Sequence, residues 1–565
     1  MASNDRFVRH ANLMSGLTIL SRITGLLRDK LCSYYLGADT TWSAFWMGFQ
    51  FPNLFRRIFG EGALTAVFVP AYTQLLHKEG QEKATRLANA TLTLLFLALS
   101  GITLLGEAVL VPIALSTSIT GANRLAAAMI AIMLPYCVMV CLVALMGAIA
   151  TVHEKFTAQS LSPMILNLFM AAAAAASVYY MTRAAPVQQR IFWVAFSVLA
   201  AGIVQILQML PTLYSSGLRL RPLFAFSGTG LSLVLKPMLP IALGYSAVQI
   251  NTFMDTQIAW WLSPDGHGGA LHFQFLGHLL PVAMLSGAAA KLSIAQRIYQ
   301  LPVAIFGVSM ATAIFPPMAK AAADKNHAEV KRLLVTGLRK TLFLSIPASF
   351  GMILIARSLI TVVYLGGKVS EDDVNRATFA AIFFCMGIWA FEAQMVIIRV
   401  YFALGDTRTP TRVALWMIGL NFLLNLTLVW FLQEGGIALA TTLAATIQGG
   451  ILLWILRRRL GDLGARPLLT GAGVSILVTI VMVECGDLLL LVPAPWEPHG
   501  ILIADPATRV HVRLLTALVK LPLLVCCCAT IYIGLMRFLG APEVAELPLV
   551  GRFMRPRRRP PAAAH

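Results

Sequence analysis

Charged side chains are the scarce component of this chain. Of its 565 residues only 12% are charged and 58% are hydrophobic, whereas a soluble domain carries about 25% charged residues. That shortage excludes a large soluble domain and marks a polytopic membrane protein. Acidic residues are scarcer still, with 25 Asp and Glu against 44 Lys and Arg and a net charge of +19. In a soluble protein such an excess points to nucleic acid. Here the charges sit in short loops and near the C-terminus, so no nucleic-acid partner is expected. The eight cysteines lie mostly inside apolar runs, without histidines at metal-ligand spacing, so they read as small packing residues and give no firm metal site. The motifs of catalysis are missing too. The chain has no Walker A loop, no G-x-S-x-G and no H-E-x-x-H, so neither an enzyme nor a cofactor is expected.

Apolar sequence is what remains. A run of about 20 residues crosses the hydrocarbon core, and such runs fall at 12–34, 40–60, 85–114, 124–150, 160–182, 190–214, 232–262, 286–316, 340–364, 376–404, 411–432, 436–456, 467–492 and 513–540. The expected fold is therefore all-α, with about fourteen transmembrane helices. No small-residue cleavage site follows Arg6 and Arg9, so the first span is read as retained.

Charge asymmetry orients the spans. The even-numbered connections hold Lys78, Lys83, Arg86, Lys155, Arg219 and Arg221, then a cluster from Lys320 to Lys340, then Arg408, Arg412 and Arg457 to Arg459. The odd-numbered ones are poorer in basic residues, or mix them with acids as at Glu371, Asp372 and Asp373. Basic loops face the cytoplasm, which places both termini there and sets the tail Arg552 to Arg559 on the anionic leaflet. Two long connections, 263–278 and 483–512, are expected outside, each as a solvated loop or a functional lid.

A faint internal echo relates the second and eighth spans. Arg57-Ile58-Phe59 followed by Phe68-Val69-Pro70 resembles Arg297-Ile298-Tyr299 followed by Phe315-Pro316, as parallel repeats of two six-helix halves would give. The corresponding domains are 1–214, 215–460, a helix pair at 461–545 and a basic tail at 546–565.

Arginine inside the apolar runs is the most informative feature. Arg22 and Arg28 lie in the first span, Arg56 in the second and Arg297 in the eighth. A guanidinium cannot shed its proton to escape burial, and one at mid-bilayer costs about 2.5–3.5 kcal/mol on insertion scales. If the four share an aqueous cavity, they suit a phosphate or pyrophosphate. The other reading is local pairing, with Asp29 as counter-ion to Arg28 and Glu61 at i,i+4 from Arg57. A second constellation sets Asn251 and Asp255 on one face of the seventh span and Asn421 and Asn425 on one face of the eleventh. These hard oxygens could hold sodium, exchange a proton, or only hydrogen-bond helix to helix.

The passages S-R-x-x-G-x-x-R-D, P-N-L-x-R-R-I-F-x-E-G-A, F-V-P, Gln296-Arg297-Ile298-Tyr299-Gln300-Leu301-Pro302 and Gly405-Asp406-Thr407-Arg408-Thr409-Pro410 together resemble the MurJ/MviN family of lipid II flippases. The resemblance runs over about residues 12–460. It implies two six-helix lobes around a central cavity, with two further helices forming a lipid-facing groove, as in the wider group of exporters that includes the MATE transporters. It also implies that Arg22, Arg28, Arg56 and Arg297 line a cationic cavity with Asn53 and Glu61, and that some members hold a cation where Asp255 and its neighbours lie. The chain departs from the family at Ser43, where an Asp is common, at Gln296, and at Asn425, where an acid is frequent.

The function so implied is transfer of lipid II, an undecaprenyl-pyrophosphate-linked disaccharide-peptide, to the outer leaflet of the bacterial inner membrane by alternating access. Coupling to Na+, H+ or the membrane potential stays open. Membrane lipids and cell-wall synthesis proteins are the further partners. A cation-coupled exporter of drugs or of another polyprenyl-linked oligosaccharide, and a non-transporting scaffold of the wall machinery, are the rival readings.

Overall fold

The structure is a computed structural model that describes residues 2–546 apart from Glu61, Gly62, Thr120, 181–185, Leu276, Ala465 and 493–505. The basic tail and Glu61 thus lie outside the described residues. The chain is helical almost throughout: α1 Ala2–Leu36, α2 Thr40–Phe55, α3 Ala63–Glu79, α4 Gln81–Leu115, α5 Gly121–Met133, α6 Pro135–Val152, α7 Thr157–Tyr180, α8 Val187–Tyr214 and α9 Leu231–Trp261. A hairpin, β1 His272–Phe275 and β2 His278–Pro281, leads to α10 Ala288–Pro302, α11 Val308–Ala323, α12 His327–Tyr364, α13 Glu371–Met386 and α14 Ile388–Ala403. The last helices are α15 Arg408–Leu432, α16 Glu434–Leu460, α17 Arg466–Leu491 and α18 Pro506–Phe538.

Every expected span falls on helix among the described residues. Among the described residues, ten helices are long and apolar enough to cross a membrane, or eleven if the bent pair α13 and α14 counts as one. The expected spans beyond these fall on α1, α2 and α9. Two of the three have plain reasons: α1 carries Arg22, Arg28, Asp29 and Lys30 within a few turns, and α2 is short at 16 residues before a π-helical turn. The connection 263–278 departs from a plain solvated loop, since it folds into a short 3-10 turn at Pro264–His267 and most of the hairpin. The last helix, α18, starts at Pro506, before the expected 513.

The chain forms two compact units whose boundaries fall inside helices. The first comprises Met1–Ile294, Val363–Ala377 and Ala414–Ala440. In it α1 packs on α7, α7 on α8, α2 on α5 and α3 on α9. Gly48 permits the α2–α5 approach, because a Cβ there would come within 2.7 Å of the Met129 backbone. Its core holds Phe45, Phe68, Tyr72, Met129, Leu145 and Ile149, all fully buried.

The second unit comprises Ala295–Val362, Thr378–Val413 and Thr441–His565. One core cluster gathers Met318, Leu334, Val396, Val400, Tyr401 and Leu452. The other joins Phe343, Met482, Tyr532 and Met536. Buried phenol groups find acceptors here: Tyr401 donates to the Leu452 carbonyl and Tyr532 to that of Phe343, each at 2.7 Å. Among the described residues each unit contains one π-helical turn, Arg56–Gly60 after α2 and Val303–Gly307 after α10. Those are the two helices that the internal echo pairs.

Candidate functional site

Helix α1 presents Arg22 and Arg28 in different settings. Arg22 is exposed. Arg28 is 6% exposed and donates from Nε and Nη2 to Asp29 Oδ1 at 2.9 and 2.6 Å, and from Nη1 to Asn167 Oδ1 at 2.9 Å. Asn167, on α7, also donates to the Ser21 carbonyl at 3.2 Å and to the Thr24 hydroxyl at 3.3 Å. One amide side chain therefore organises the whole S-R-x-T-G-x-x-R-D passage, and a charge that would be costly alone sits in a satisfied set of donors and acceptors. Sequence reading missed Asn167, since nothing local to it marks a partner so distant in the chain.

Arg56 opens the π-helical turn after α2, and its Nη2 donates to Asn53 Oδ1 at 3.1 Å with both residues half-buried. Arg297 lies half-buried on α10 in the second unit, directly after the buried Gln296. Ser43 is fully buried, and its hydroxyl accepts the Ala290 amide at 3.1 Å in the first turn of α10. A hydroxyl thus satisfies a helix-terminal donor where the family often has a carboxylate.

The residues of the second constellation come together within the first unit. Asp255, Asn421 and Asn425 are 1%, 1% and 0% exposed. Asn425 Nδ2 donates to Asp255 Oδ1 at 2.7 Å and to Asn421 Oδ1 at 3.0 Å. The oxygens of Asn425 and of the half-buried Asn251 are buried with no hydrogen-bond donor on them. One carboxylate and several amide oxygens form the hard donor set that suits an alkali cation. Among the described residues no group of three or more His, Cys, Asp or Glu side chains could hold a metal.

A polar seam that the sequence did not reveal runs through the first unit. Lys291 is 3% exposed, pairs with Asp373 at 2.8 Å and donates to the Ala38 carbonyl at 2.7 Å. Arg376 donates to the Ser286 and Leu285 carbonyls and pairs with Glu434. Asp265, 1% exposed in the 3-10 turn, accepts from the Thr40 hydroxyl at 2.6 Å and the Gly287 amide at 2.9 Å. Burial pushes its carboxyl above the usual carboxylate range, against the opposing pull of those two donors and of Lys291. The only sequence signal was acid mixed with base at 371–376, which read as an ordinary loop.

The second unit carries an apolar groove of about 340 Å³ between α12, α17 and α18, lined among others by Pro302, Phe306, Phe343, Pro347, Leu524 and Tyr532. Its mouth is wide and almost free of polar atoms, a surface suited to a hydrocarbon chain.

Comparison with known proteins agrees with the resemblance read from the motifs. The family model described as "Lipid II flippase MurJ" matches residues 32–503. A protein of Vibrio cholerae serotype O1 named "Probable lipid II flippase MurJ" is 27% identical over 468 residues, covering 80% of this chain and 82% of its own. Two solved structures share the fold. One, described as "Lipid II flippase MurJ, inward closed conformation", has a TM-score of 0.69 at 21% identity and covers 93% of this chain and 99% of its own. The other, an inward-facing multidrug resistance MATE family transporter of the MOP superfamily, has a TM-score of 0.62 at 14% identity and covers 78% and 96%. The matched stretch takes in most of the chain, and the chain belongs to the lipid II flippase MurJ family.

Proposed function

We propose that this chain carries lipid II from the cytoplasmic to the outer leaflet of the bacterial inner membrane. The observation that carries the reading is the family match over residues 32–503. The chemistry of the arginines supports it. Arg22, Arg56 and Arg297 are the side chains we assign to the pyrophosphate, since planar, permanently charged donors hold it in two-pronged fashion. Asn53 aims Arg56, while Arg28, held by Asp29 and Asn167, adds positive field and fixes α1 to α7. Glu61 belongs to the same proposal by resemblance alone. The groove of the second unit, almost free of polar atoms, would take part of the polyprenyl tail.

The cycle we infer is alternating access of an N-terminal lobe, 1–214, against a C-terminal lobe, 215–460, with 461–545 carrying the tail. Both termini would be cytoplasmic and the tail 546–565 would lie on the anionic leaflet. Wall-synthesis proteins are the macromolecular partners that this placement favours. Depletion of the resident flippase in a host strain tests the reading. Expression of this chain should restore wall synthesis and the appearance of lipid II in the outer leaflet, and restored growth without outer-leaflet lipid II would point to a scaffold.

The Asp255 group is the coupling site of this proposal, because it unites a buried carboxylate with acceptor oxygens that have no donor. Asp255→Asn should keep the fold and reduce transport and its ion dependence together. Unchanged transport with unchanged ion dependence would leave Asp255 a helix-to-helix hydrogen bond and nothing more.

A further inference from the structure

One buried carboxyl stands apart from everything above. Glu392, on α14, is 0% exposed, and neither Oε1 nor Oε2 has a hydrogen-bond partner. Native interiors satisfy nearly all buried polar atoms, so two orphan oxygens on one acid call for an explanation. The side chain sits against the π-helical turn Val303–Gly307: a Cβ at Gly307 would come within 2.8 Å of Glu392 Cγ and 3.3 Å of Met395 Sδ. Glycine at 307 makes the room that the acid occupies. Four residues further along α14, Val396 belongs to the apolar core with Ala311, so the acid shares a face with hydrocarbon.

No charge on the neighbouring elements offsets it. Helix α14 packs on α11 and on the π-helical turn, and also on α12 and α16; α12 carries His327, Glu329, Lys331, Arg332, Arg339, Lys340 and Arg357, and α16 carries Glu434 and Arg457 to Arg459. On α14 the other titratable groups are Arg399, which lies over the Phe315 ring at 5.5 Å, and Tyr401, which donates to Leu452. The π-helical turn has none, and α11 contributes only Lys320 in its last turn. On α10, Tyr299 stacks near Phe384 and Phe391, and Arg297 lies two residues before it. None of these groups hydrogen-bonds to either Glu392 oxygen.

An ionised carboxylate without donors in such a place costs several kcal/mol, and ionisable residues inside membrane helices mark ion or proton pathways. π-helical turns, for their part, are frequent at functional sites and offer a place to repack. We propose that Glu392 is a proton-binding site of the transport cycle, occupied while α14 is seated on the turn Val303–Gly307 and emptied when that seam opens to water. The proton is taken from solvent and returned to solvent, with no other group required. Occupancy follows from the seat alone, whereas the link to a cycle rests on the transporter reading.

The test separates the two. Purified full-length protein in lipid nanodiscs is compared with Glu392→Gln, which keeps the shape of the neutral acid, by infrared difference spectroscopy at neutral pH. The expected result is a carbonyl stretch of a protonated carboxyl in the wild type that the variant lacks, and identical spectra would overturn the site whether or not the chain flips lipid. In proteoliposomes the wild-type flipping rate should change with pH, and Glu392→Gln should flatten that profile. Gly307→Ala, which crowds the acid without removing it, should shift the profile. A Glu392→Gln profile that matches the wild type would overturn the coupling role.

Discussion

Arg28 donates through both Nε and Nη2 to a single oxygen of Asp29, its neighbour in the chain, at 2.9 and 2.6 Å, and both side chains are under 10% exposed. The two charges arrive in the membrane already compensated, which explains how α1 carries Arg28 inside its apolar run, whereas Arg22 is exposed.

Removing one partner of that pair should be far worse than removing an exposed arginine. Asp29→Asn leaves a buried guanidinium without its carboxylate and should cost about 3 kcal/mol, read as earlier thermal unfolding of the purified protein. Arg22→Ala should change stability by less than about 0.5 kcal/mol. Equal unfolding of Asp29→Asn and wild type would show that Asn167 and water suffice to hold Arg28.

The connector between α14 and α15 should respond to acid in one direction. Burial raises the Asp406 carboxyl, but the Thr409 hydroxyl and amide and the Arg459 guanidinium together outweigh it and hold the group below its usual range. A lowered carboxyl contributes stability that is complete above its unfolded value, about 3.9, and lost as pH falls through the lower folded value. The protection of the Thr409 amide, its exchange compared with the intrinsic rate at each pH, should therefore be high at neutral pH and lost in strong acid, and Asp406→Asn should be poorly protected at both. Arg459 is 47% exposed, so salt should weaken the effect.

Cysteine labelling in intact cells checks the orientation. Gly268 and Gly461 are both exposed on turns at helix ends, so a cysteine at either is open to reagent from its own side. Labelling at 268 and protection at 461 are expected from the partition of basic residues. The reverse at either position would overturn the orientation.

Helix positions were legible because the apolar runs are long and the basic loops regular, and among the described residues each of the runs read from 12–34 to 513–540 falls on helix. The arginines were legible for the opposite reason, as residues that do not belong in such runs. What stayed hidden depends on partners distant in sequence. Asn167 is an ordinary amide in an alanine-rich helix, and Lys291 finds Asp373 only once α10 and α13 are placed. The hairpin 272–281 was hidden because its histidines and glycines have the composition of a loop. Glu392 is a single acid in an apolar run, and only burial without a donor sets it apart from a surface residue.

The most direct test of the central claim is binding of purified protein to lipid II, and to the same lipid lacking its pyrophosphate, measured in one membrane mimetic. The wild type should bind the intact lipid and lose at least about tenfold in affinity, roughly 1.4 kcal/mol, when the pyrophosphate is absent. Alanine at Arg22, Arg56 and Arg297 together should bring the intact lipid down to the level of the truncated one. Equal binding of both lipids by wild type, or undiminished preference in the triple variant, would contradict recognition of the pyrophosphate by these arginines.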